Sequence, residues 1–435
     1  MIYTTKTINK ITNNIVNKKS SINKNIINEM YDEVISISKN ITTSINGIFN
    51  NNNKTIIEKK TTINDGLNFH LHNAILNCTH DESTSYLNLN KDSNISRQAY
   101  ENRSSIFNYE ELKIINNNLF INNTNKSIDL NGTNYIDGTN INIYDKSNKN
   151  KYTNIDILGI TNNNNNSYLF TDKIDLNNKS EIQLFYKLIE YNSFEKNELI
   201  VVDRYYFSNK FIKTCNKKNI KFIARIKSNS RALHKFNEYI KDDKQKLNYN
   251  PFNYIYDYND TKIRIISFKS KDKYIHLASN VKNNDIDYYK NKYGNRWNVE
   301  IFFKHIKKNS SINKITSHKL KTINNIIMSS SINQIIIDRI LNIYNKYNKD
   351  NKKNINITNF YNLYENKLMY QILNNKLSLS EFDKLIVLSI SFYTKLINKT
   401  ISNDRYSIMP YTKWHYKFIS NLKKEKNIII NQFNT

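Results

Sequence analysis

Cysteine is almost absent from this chain of 435 residues, which contains only Cys78 and Cys215. Two cysteines form no disulfide framework, and these two lack the spacing of metal ligands. The scarcity fits a reduced, intracellular compartment, because disulfides persist mainly in oxidising surroundings.

Long apolar runs are missing as well. The sequence has no stretch of about 18 apolar residues, so we expect no membrane-spanning helix and no membrane partner. Residues 1–14 lack an apolar core segment, so we expect no secretory signal peptide. The protein is therefore expected inside the cell.

Proline and glycine are scarce, at 2 and 6 residues, whereas asparagine, isoleucine and lysine dominate. This composition is expected of an AT-rich coding sequence, whose commonest codons specify Asn, Ile, Lys and Tyr. Polar runs such as the asparagines of residues 162–166 are therefore interpreted as loops and nothing more.

Acidic residues are also in deficit, since 38 Asp and Glu stand against 65 Lys and Arg, a formal charge of +27. An excess of this size indicates a polyanionic partner, and nucleic acid is the obvious one, although codon bias accounts for part of it. The chain is long enough for two or three domains with cores of their own.

The hydrophobic pattern divides the chain into five regions. Residues 1–125 have helical periodicity and are interpreted as a helical DNA-binding region or, equally, as a helical cap on the next domain. Residues 126–228 change to strands of period two and then to alternating helix and strand, which is typical of an α/β domain with a mixed sheet. Residues 229–284 are interpreted as a β-rich insertion, 285–345 as the second part of the core, and 346–435 as a helical C-terminal region.

The stretch from Tyr293 to Lys307 is predicted to be a single helix, because its apolar residues recur at helical spacing. At about 100° per residue, four polar residues fall within about 40° of Glu300 on the helical wheel: Tyr293, Arg296, Lys304 and Lys307. In one interpretation this face is solvated and carries i,i+4 charge pairs, each of which stabilises the helix by about 0.2–0.5 kcal/mol. In the other it is a phosphate-binding site. In the second interpretation the carboxylate holds a divalent cation and the surrounding cations hold a nucleic-acid backbone.

Two further acids could join Glu300, because two-metal phosphoryl chemistry needs about three carboxylates from separate rigid elements. Asp203 closes an apolar run that predicts a buried strand, and Asp137 precedes a glycine in the first predicted strand. Each has a plainer interpretation, since Asp before Gly is common in turns and Asp203 could cap the next helix. Asp145 and Asp156 compete for the first position but have polar, turn-like neighbours.

The spacing Tyr293-xx-Arg296-xxx-Glu300-xxxxxx-Lys307 resembles the Tyr-Arg-Glu-Lys signature of cut-and-paste DDE transposases in insertion-sequence family four. Segments elsewhere in the sequence resemble the same family. The segments IDGT (136–139), IVVDRYYFS (200–208) and FIARIKSN (222–229) resemble the family's first-Asp strand, its second-Asp strand and the basic strand that follows. The resemblance covers roughly residues 90–345.

This resemblance implies a ribonuclease-H-like core, a mixed five-stranded sheet with helices, interrupted by the β-rich insertion. It implies a catalytic, metal-binding triad of Asp137, Asp203 and Glu300 that holds two Mg²⁺ or Mn²⁺ ions. Its partners would be the double-stranded inverted-repeat ends of a transposon and target DNA, bound by a homodimer that pairs through the C-terminal helices. The implied DNA contacts are Tyr293, Arg296 and Lys307, with Lys304, Arg204, Arg225, Lys227 and a base-stacking Trp297 as further candidates.

Two other functions stay open on the sequence. A decayed or domesticated transposase would bind DNA without cleaving it, and the intact triad does not separate it from an active enzyme. A ribonuclease-H-like nuclease or resolvase would cut branched DNA, but the Tyr-Arg-Glu-Lys spacing argues against it.

Overall fold

A mixed β-sheet flanked by helices is the centre of the protein in the computed structural model. The structure describes residues 24–51, 61–75, 79–121, 132–145, 151–162, 167–170, 180–191, 198–227, 229–242, 253–258, 263–270, 273–310, 312, 314–315, 317, 319–347, 360–361, 363–383 and 385–386. No helix within these ranges is both long enough and apolar enough to cross a membrane.

The secondary structure follows the predicted order of helices, strands, and helices again. The helices before the sheet are α1 Lys24–Asn51, α2 Ile63–Asn73, α3 His80–Lys91, α4 Arg97–Ser104 and α5 Tyr109–Ile121. The strands are β1 Thr133–Asp145, β2 Lys151–Asn162, β3 Ser167–Phe170, β4 Leu199–Val202, β5 Lys221–Arg225, β6 Asn253–Tyr258, β7 Ile263–Ser270, β8 Lys273–Ser279 and β9 Lys314–Ile315. The remaining helices are α6 Glu181–Tyr191, α7 Asn209–Lys217, α8 Arg231–Asp242, α9 Ile286–Gly294, α10 Trp297–Asn309, α11 Leu320–Tyr347, a π-helix Tyr364–Leu368 and α12 Met369–Leu373.

The sheet has nine described strands and is larger than the five expected. Its order is β3-β2-β1-β4-β5-β8-β7-β6, and β9 pairs with β1. Strands β6 to β8 come from residues 229–284, where a β-rich insertion was predicted, and β8 pairs antiparallel with β5. That region also contains a helix, α8. Strands β6 to β8 continue the central sheet, because the edge of β5 offers β8 unpaired backbone groups.

The two faces of the sheet are covered by different helices. Because side chains alternate along a strand, Tyr135, Val201 and Ile223 share one face, where they form a core cluster with Tyr289 of α9. On the other face, α7 places Phe211 against Phe222 of β5, with ring centroids 5.0 Å apart. The odd-numbered residues of β1 thus face α9 and α10, and the even-numbered ones face α6 and α7.

Helix α10 lies close to the sheet because β2 has a glycine beneath it. A Cβ atom on Gly159 would lie 2.5 Å from Cζ of Phe303 and 3.0 Å from Cε1 of Phe302. Gly159 pairs with Asp137 of β1, so the two residues lie on the same face. The absent side chain therefore lets α10 approach the strand that carries Asp137.

The N-terminal helices pack against α11, which contains the long helix predicted at residues 322–344. The side chain of Arg339 in α11 is 1% exposed, and its Nε donates to Glu33 of α1 at 2.6 Å. Its Nη1 donates to the carbonyl of Leu119 at the end of α5, at 3.1 Å. This buried guanidinium joins three helices, because its fork of donors can serve several acceptors at once.

The predicted helix at residues 381–397 and the basic, aromatic tail after it lie almost wholly outside the described residues. The homodimer surface expected there stays a prediction.

Replacing Gly159 by Ala should lower the free energy of unfolding by about 1–3 kcal/mol, because overpacking beneath α10 forces side chains and backbone to shift. Urea unfolding of the full chain measures the change. Gly47→Ala is the matched control, since a Cβ atom there meets nothing within 4 Å. In the interior of α1, that change should instead stabilise by about 0.5–1 kcal/mol. Equal stability of the Gly159→Ala variant and the wild type would contradict the close packing of α10.

Candidate active site

The parallel pairing of β1 and β4 brings two carboxylates side by side. Ile136 is in register with Val202, and the next residues of the two chains are Asp137 and Asp203. Neighbouring strands lie about 4.8 Å apart, so these aspartates are neighbours where β4 ends. Both were predicted as site residues. Carboxyl ends of parallel strands are where ligand sites in such sheets form.

Arg225 extends this row by one strand. Val202 of β4 is in register with Ala224 of β5, so Arg225 occupies the position after that pair. The side chain of Arg225 is half-buried. Burial raises the pKa of the phenol of Tyr293 in α9, Asp203 adds to this shift, and Arg225 is close enough to oppose it.

Arg296 links Glu300 of α10 to Asp137 of β1. Nη1 of Arg296 donates to Oδ2 of Asp137 at 2.7 Å, and Nη2 donates to Oε1 of Glu300. The arginine side chain is 11% exposed and that of Asp137 is 18% exposed. One guanidinium thus holds a strand and a helix together by charge-assisted hydrogen bonds.

The single helix predicted from Tyr293 to Lys307 is wrong, because the chain ends α9 at Gly294 and begins α10 at Trp297. Asn295 and Arg296 form a turn between the helices, in which the N–H of Arg296 donates to the carbonyl of Tyr293 at 3.1 Å. Both turn residues keep right-handed helical dihedral angles. Arg296 makes no capping bond, and its side chain points to the two carboxylates instead.

Burial and like charges dominate the electrostatics of this site. Burial raises the pKa of Asp137, and the charges of Asp203 and Glu300 act in the same direction. Arg296 and the N–H of Gly138, which donates to Oδ1 at 3.0 Å, oppose the shift. Burial alone would lower the pKa of Arg296, but Tyr293, Asp137 and Glu300 raise it, so the guanidinium stays charged.

The three acids have the donor chemistry of a site for a hard divalent cation. Carboxylate oxygens are the ligands that Mg²⁺ and Mn²⁺ prefer. Oδ1 of Asp203 is buried and has no hydrogen-bond partner, an unsatisfied state that a cation would relieve. Across the described residues, however, no three His, Cys, Asp or Glu side chains are arranged to hold a metal ion. Arg296 binds two of the three carboxylates instead.

Lys307 and Tyr293 lie near Asp137 and Arg296, although Tyr293 belongs to α9 and Lys307 to α10. Nζ of Lys307 donates to Oγ1 of Thr139 at 2.6 Å, two residues beyond Asp137 on the same face of β1. Burial lowers the pKa of Lys307 and raises that of Tyr293. The ring of Tyr293 has the guanidinium carbon of Arg296 5.7 Å from its centroid.

The other predicted DNA contacts lie around this centre. Trp297 is 60% exposed at the first turn of α10, and Lys304 and Arg204 are exposed as well. Lys227 is half-buried, with Nζ 6.0 Å from the ring centroid of Tyr205. The structure brings none of these four into contact with the carboxylates through a described hydrogen bond or ion pair.

The two competing acids occupy other places. Asp145 is the last residue of β1, eight residues beyond Asp137. Asp156 lies inside β2 and pairs with Asn140, so its predicted turn-like surroundings are wrong. Its Oδ2 accepts the backbone N–H of Glu181 at 3.1 Å, which fastens the start of α6 to the sheet.

Glu181 and Tyr206 were not predicted, although both belong to this neighbourhood. The hydroxyl of Tyr206 donates to Oε1 of Glu181, and the charges of Asp137 and Asp203 influence the pKa of Glu181. The periodicity of residues 181–192 predicts the helix, but it does not say which strand the first residue faces. An acidic residue in a first helical turn is ordinarily explained by the helix dipole alone.

Residues 133–333 match the family model described as the transposase DDE domain. The matched segment contains Asp137, Asp203 and Glu300, and it supports a DDE transposase. No curated protein matches the chain.

Replacing Arg296 by Lys should destabilise the fold by about 1–3 kcal/mol, because one ammonium cannot span two carboxylates as a planar fork does. Urea unfolding at neutral pH measures the loss. The control is Lys304→Gln on the exposed side of α10, which should change stability by less than about 0.5 kcal/mol. If the two variants unfold at the same denaturant concentration, the bridge contributes nothing to the fold.

Proposed function

We propose that the chain is a DDE transposase of the cut-and-paste kind, which cleaves the ends of a transposon and joins them to target DNA. The observation that carries the proposal is the row formed by Asp137 and Asp203 on adjacent parallel strands, with Glu300 held beside it through Arg296. These acids lie on separate, rigid elements, which two-metal phosphoryl transfer requires.

The sheet supports a ribonuclease-H-like core for this enzyme. Five consecutive strands of its path, β3-β2-β1-β4-β5, form a mixed sheet with helices on both faces. The first two pairings along that path are antiparallel and the next two are parallel. The further strands β8, β7 and β6 then correspond to the β-rich insertion expected between Asp203 and Glu300.

In this proposal Asp137, Asp203 and Glu300 hold two Mg²⁺ or Mn²⁺ ions. The cations would lower the pKa of the attacking hydroxyl and stabilise the leaving oxygen. Arg296 balances the charge of Asp137 and Glu300 while the cations are absent. The guanidinium has the fork of donors that binds phosphate, so Arg296 would also contact the DNA backbone near the scissile bond.

Basic and aromatic groups around the acids would position the DNA. Lys307 contacts Thr139, two residues beyond Asp137, and the ring of Tyr293 lies beside Arg296. Both would hold phosphates, because phosphoryl transfer depends mainly on orientation and charge neutralisation. Around them, Trp297 offers an exposed ring to an unpaired base. Further phosphate contacts would come from Arg204, Arg225, Lys227 and Lys304.

Replacing Glu300 by Gln should abolish Mn²⁺-dependent cleavage of DNA that carries the protein's own inverted repeats, a loss of at least about 100-fold, because one cation loses a ligand. DNA binding, measured by gel shift without metal, should be spared. Asp145→Asn, at the distant end of β1, is the matched control and should cleave normally, whereas Asp137→Asn should not.

Two outcomes would contradict this proposal in different ways. Unchanged cleavage by the Glu300→Gln variant would contradict the catalytic role proposed for Glu300. A wild-type protein that binds the repeats in a salt-dependent manner, yet cleaves nothing, would instead be a decayed or domesticated DNA-binding protein.

A further inference from the structure

We infer that Glu181, the first residue of α6, is a fourth carboxylate of the active site, whose charge strengthens the binding of the divalent cation between Asp137 and Asp203. The inference rests on the proposed function, because it presupposes a metal site there. It adds a charge-supplying residue that lies outside the Asp-Asp-Glu triad and on the opposite face of the sheet.

Gly138 allows Glu181 to approach the strand. Gly138 follows Asp137 and faces the side of the sheet that α6 covers. A Cβ atom at this position would lie 1.9 Å from Cδ of Glu181, so any side chain would displace the carboxylate. The start of α6 is held there by Asp156, which accepts the N–H of Glu181 at 3.1 Å.

A tyrosine connects Glu181 to the turn that carries Asp203. Tyr206 is 2% exposed, and its hydroxyl donates to Oε1 of Glu181. Its backbone N–H donates to the carbonyl of Asp203 at 3.3 Å, which closes the turn after β4. Its ring also packs against Phe185 of α6, with centroids 4.7 Å apart. The carboxylate of Glu181 and the backbone of Asp203 are therefore fixed relative to each other.

Electrostatic coupling and an unsatisfied oxygen indicate that this carboxylate acts on the metal site. Burial raises the pKa of Glu181, and the hydrogen bond from Tyr206 opposes this shift. Asp137, Asp156 and Asp203 raise the pKa as well, so their charges are within range of Glu181. Among the described residues Glu181 forms no ion pair, whereas Arg296 compensates Asp137 and Glu300. Oδ1 of Asp203, on the turn that Tyr206 closes, is buried without a partner. A divalent cation beside Asp203 would supply the missing positive charge.

The test is the affinity of the full-length protein for Mn²⁺ alone, measured by titration calorimetry without DNA. Glu181→Gln keeps an oxygen that can accept from Tyr206 but removes the charge, and it should weaken Mn²⁺ binding about tenfold. Glu190→Gln is the matched control, because it makes the same change at the exposed far end of α6 and should leave the affinity unchanged. Tyr206→Phe keeps the charge and loses only the hydrogen bond, so its affinity should fall less than threefold.

Melting temperature separates a charge effect from a structural one. Without metal, Glu181→Gln should melt at or above the wild-type temperature, because removing one of several neighbouring carboxylates relieves repulsion. The inference would be overturned if Glu181→Gln melted below the wild type and lost no more Mn²⁺ affinity than Tyr206→Phe. Glu181 would then have only a structural role. If Glu181→Gln does not fold, Glu181→Ala, which also removes the charge, takes its place, and an unchanged Mn²⁺ affinity of that variant overturns the inference equally.

Variants of the two aspartates distinguish a failure of the inference about Glu181 from a failure of the proposed function. If Asp137→Asn loses Mn²⁺ binding while Glu181→Gln binds like the wild type, the inference fails and the proposed function stands. If Asp137→Asn and Asp203→Asn bind Mn²⁺ like the wild type, the site holds no cation and both fail.

Discussion

The register between β1 and β4 is the constraint on which the rest of the site depends. Ile136 opposite Val202 places Asp137 beside Asp203, and a shift of one residue would turn either aspartate to the other face of the sheet. The core cluster under α9 sets this register, because Tyr135 and Val201 must both be buried there. Packing of apolar residues on one face thus positions the charged groups that follow them.

Two glycines then bring carboxylates to this row from both sides of the sheet. Gly159 leaves room for the phenylalanines of α10, which brings Glu300 and Arg296 close to Asp137. Gly138 leaves room for Glu181 on the opposite face. In a chain with only six glycines, both serve close approach of a helix to a strand, and neither has a positive φ.

Arg296 makes the gathered charge compatible with folding. Carboxylates brought together in a half-buried site repel one another, and their desolvation disfavours the charged form. One guanidinium offsets part of this cost by bonding to both Asp137 and Glu300. In the proposed function, divalent cations bound to the same carboxylates would provide this compensation instead.

Much of the fold and of the candidate site could be predicted from the sequence, and there is a physical reason why the rest could not. Alternating and helical patterns determined the order of elements. Asp203 could be chosen because it ends an apolar strand, Asp137 because a glycine follows it in a strand, and Glu300 because it lies on a basic helical face with the Tyr-Arg-Glu-Lys spacing. Tertiary structure alone decided the break at Asn295, the continuation of the sheet through β8, and the approach of Glu181 to Gly138. These depend on strand pairing and on contacts between residues far apart in the chain, whereas periodicity reports only which side of its own helix or strand a residue occupies.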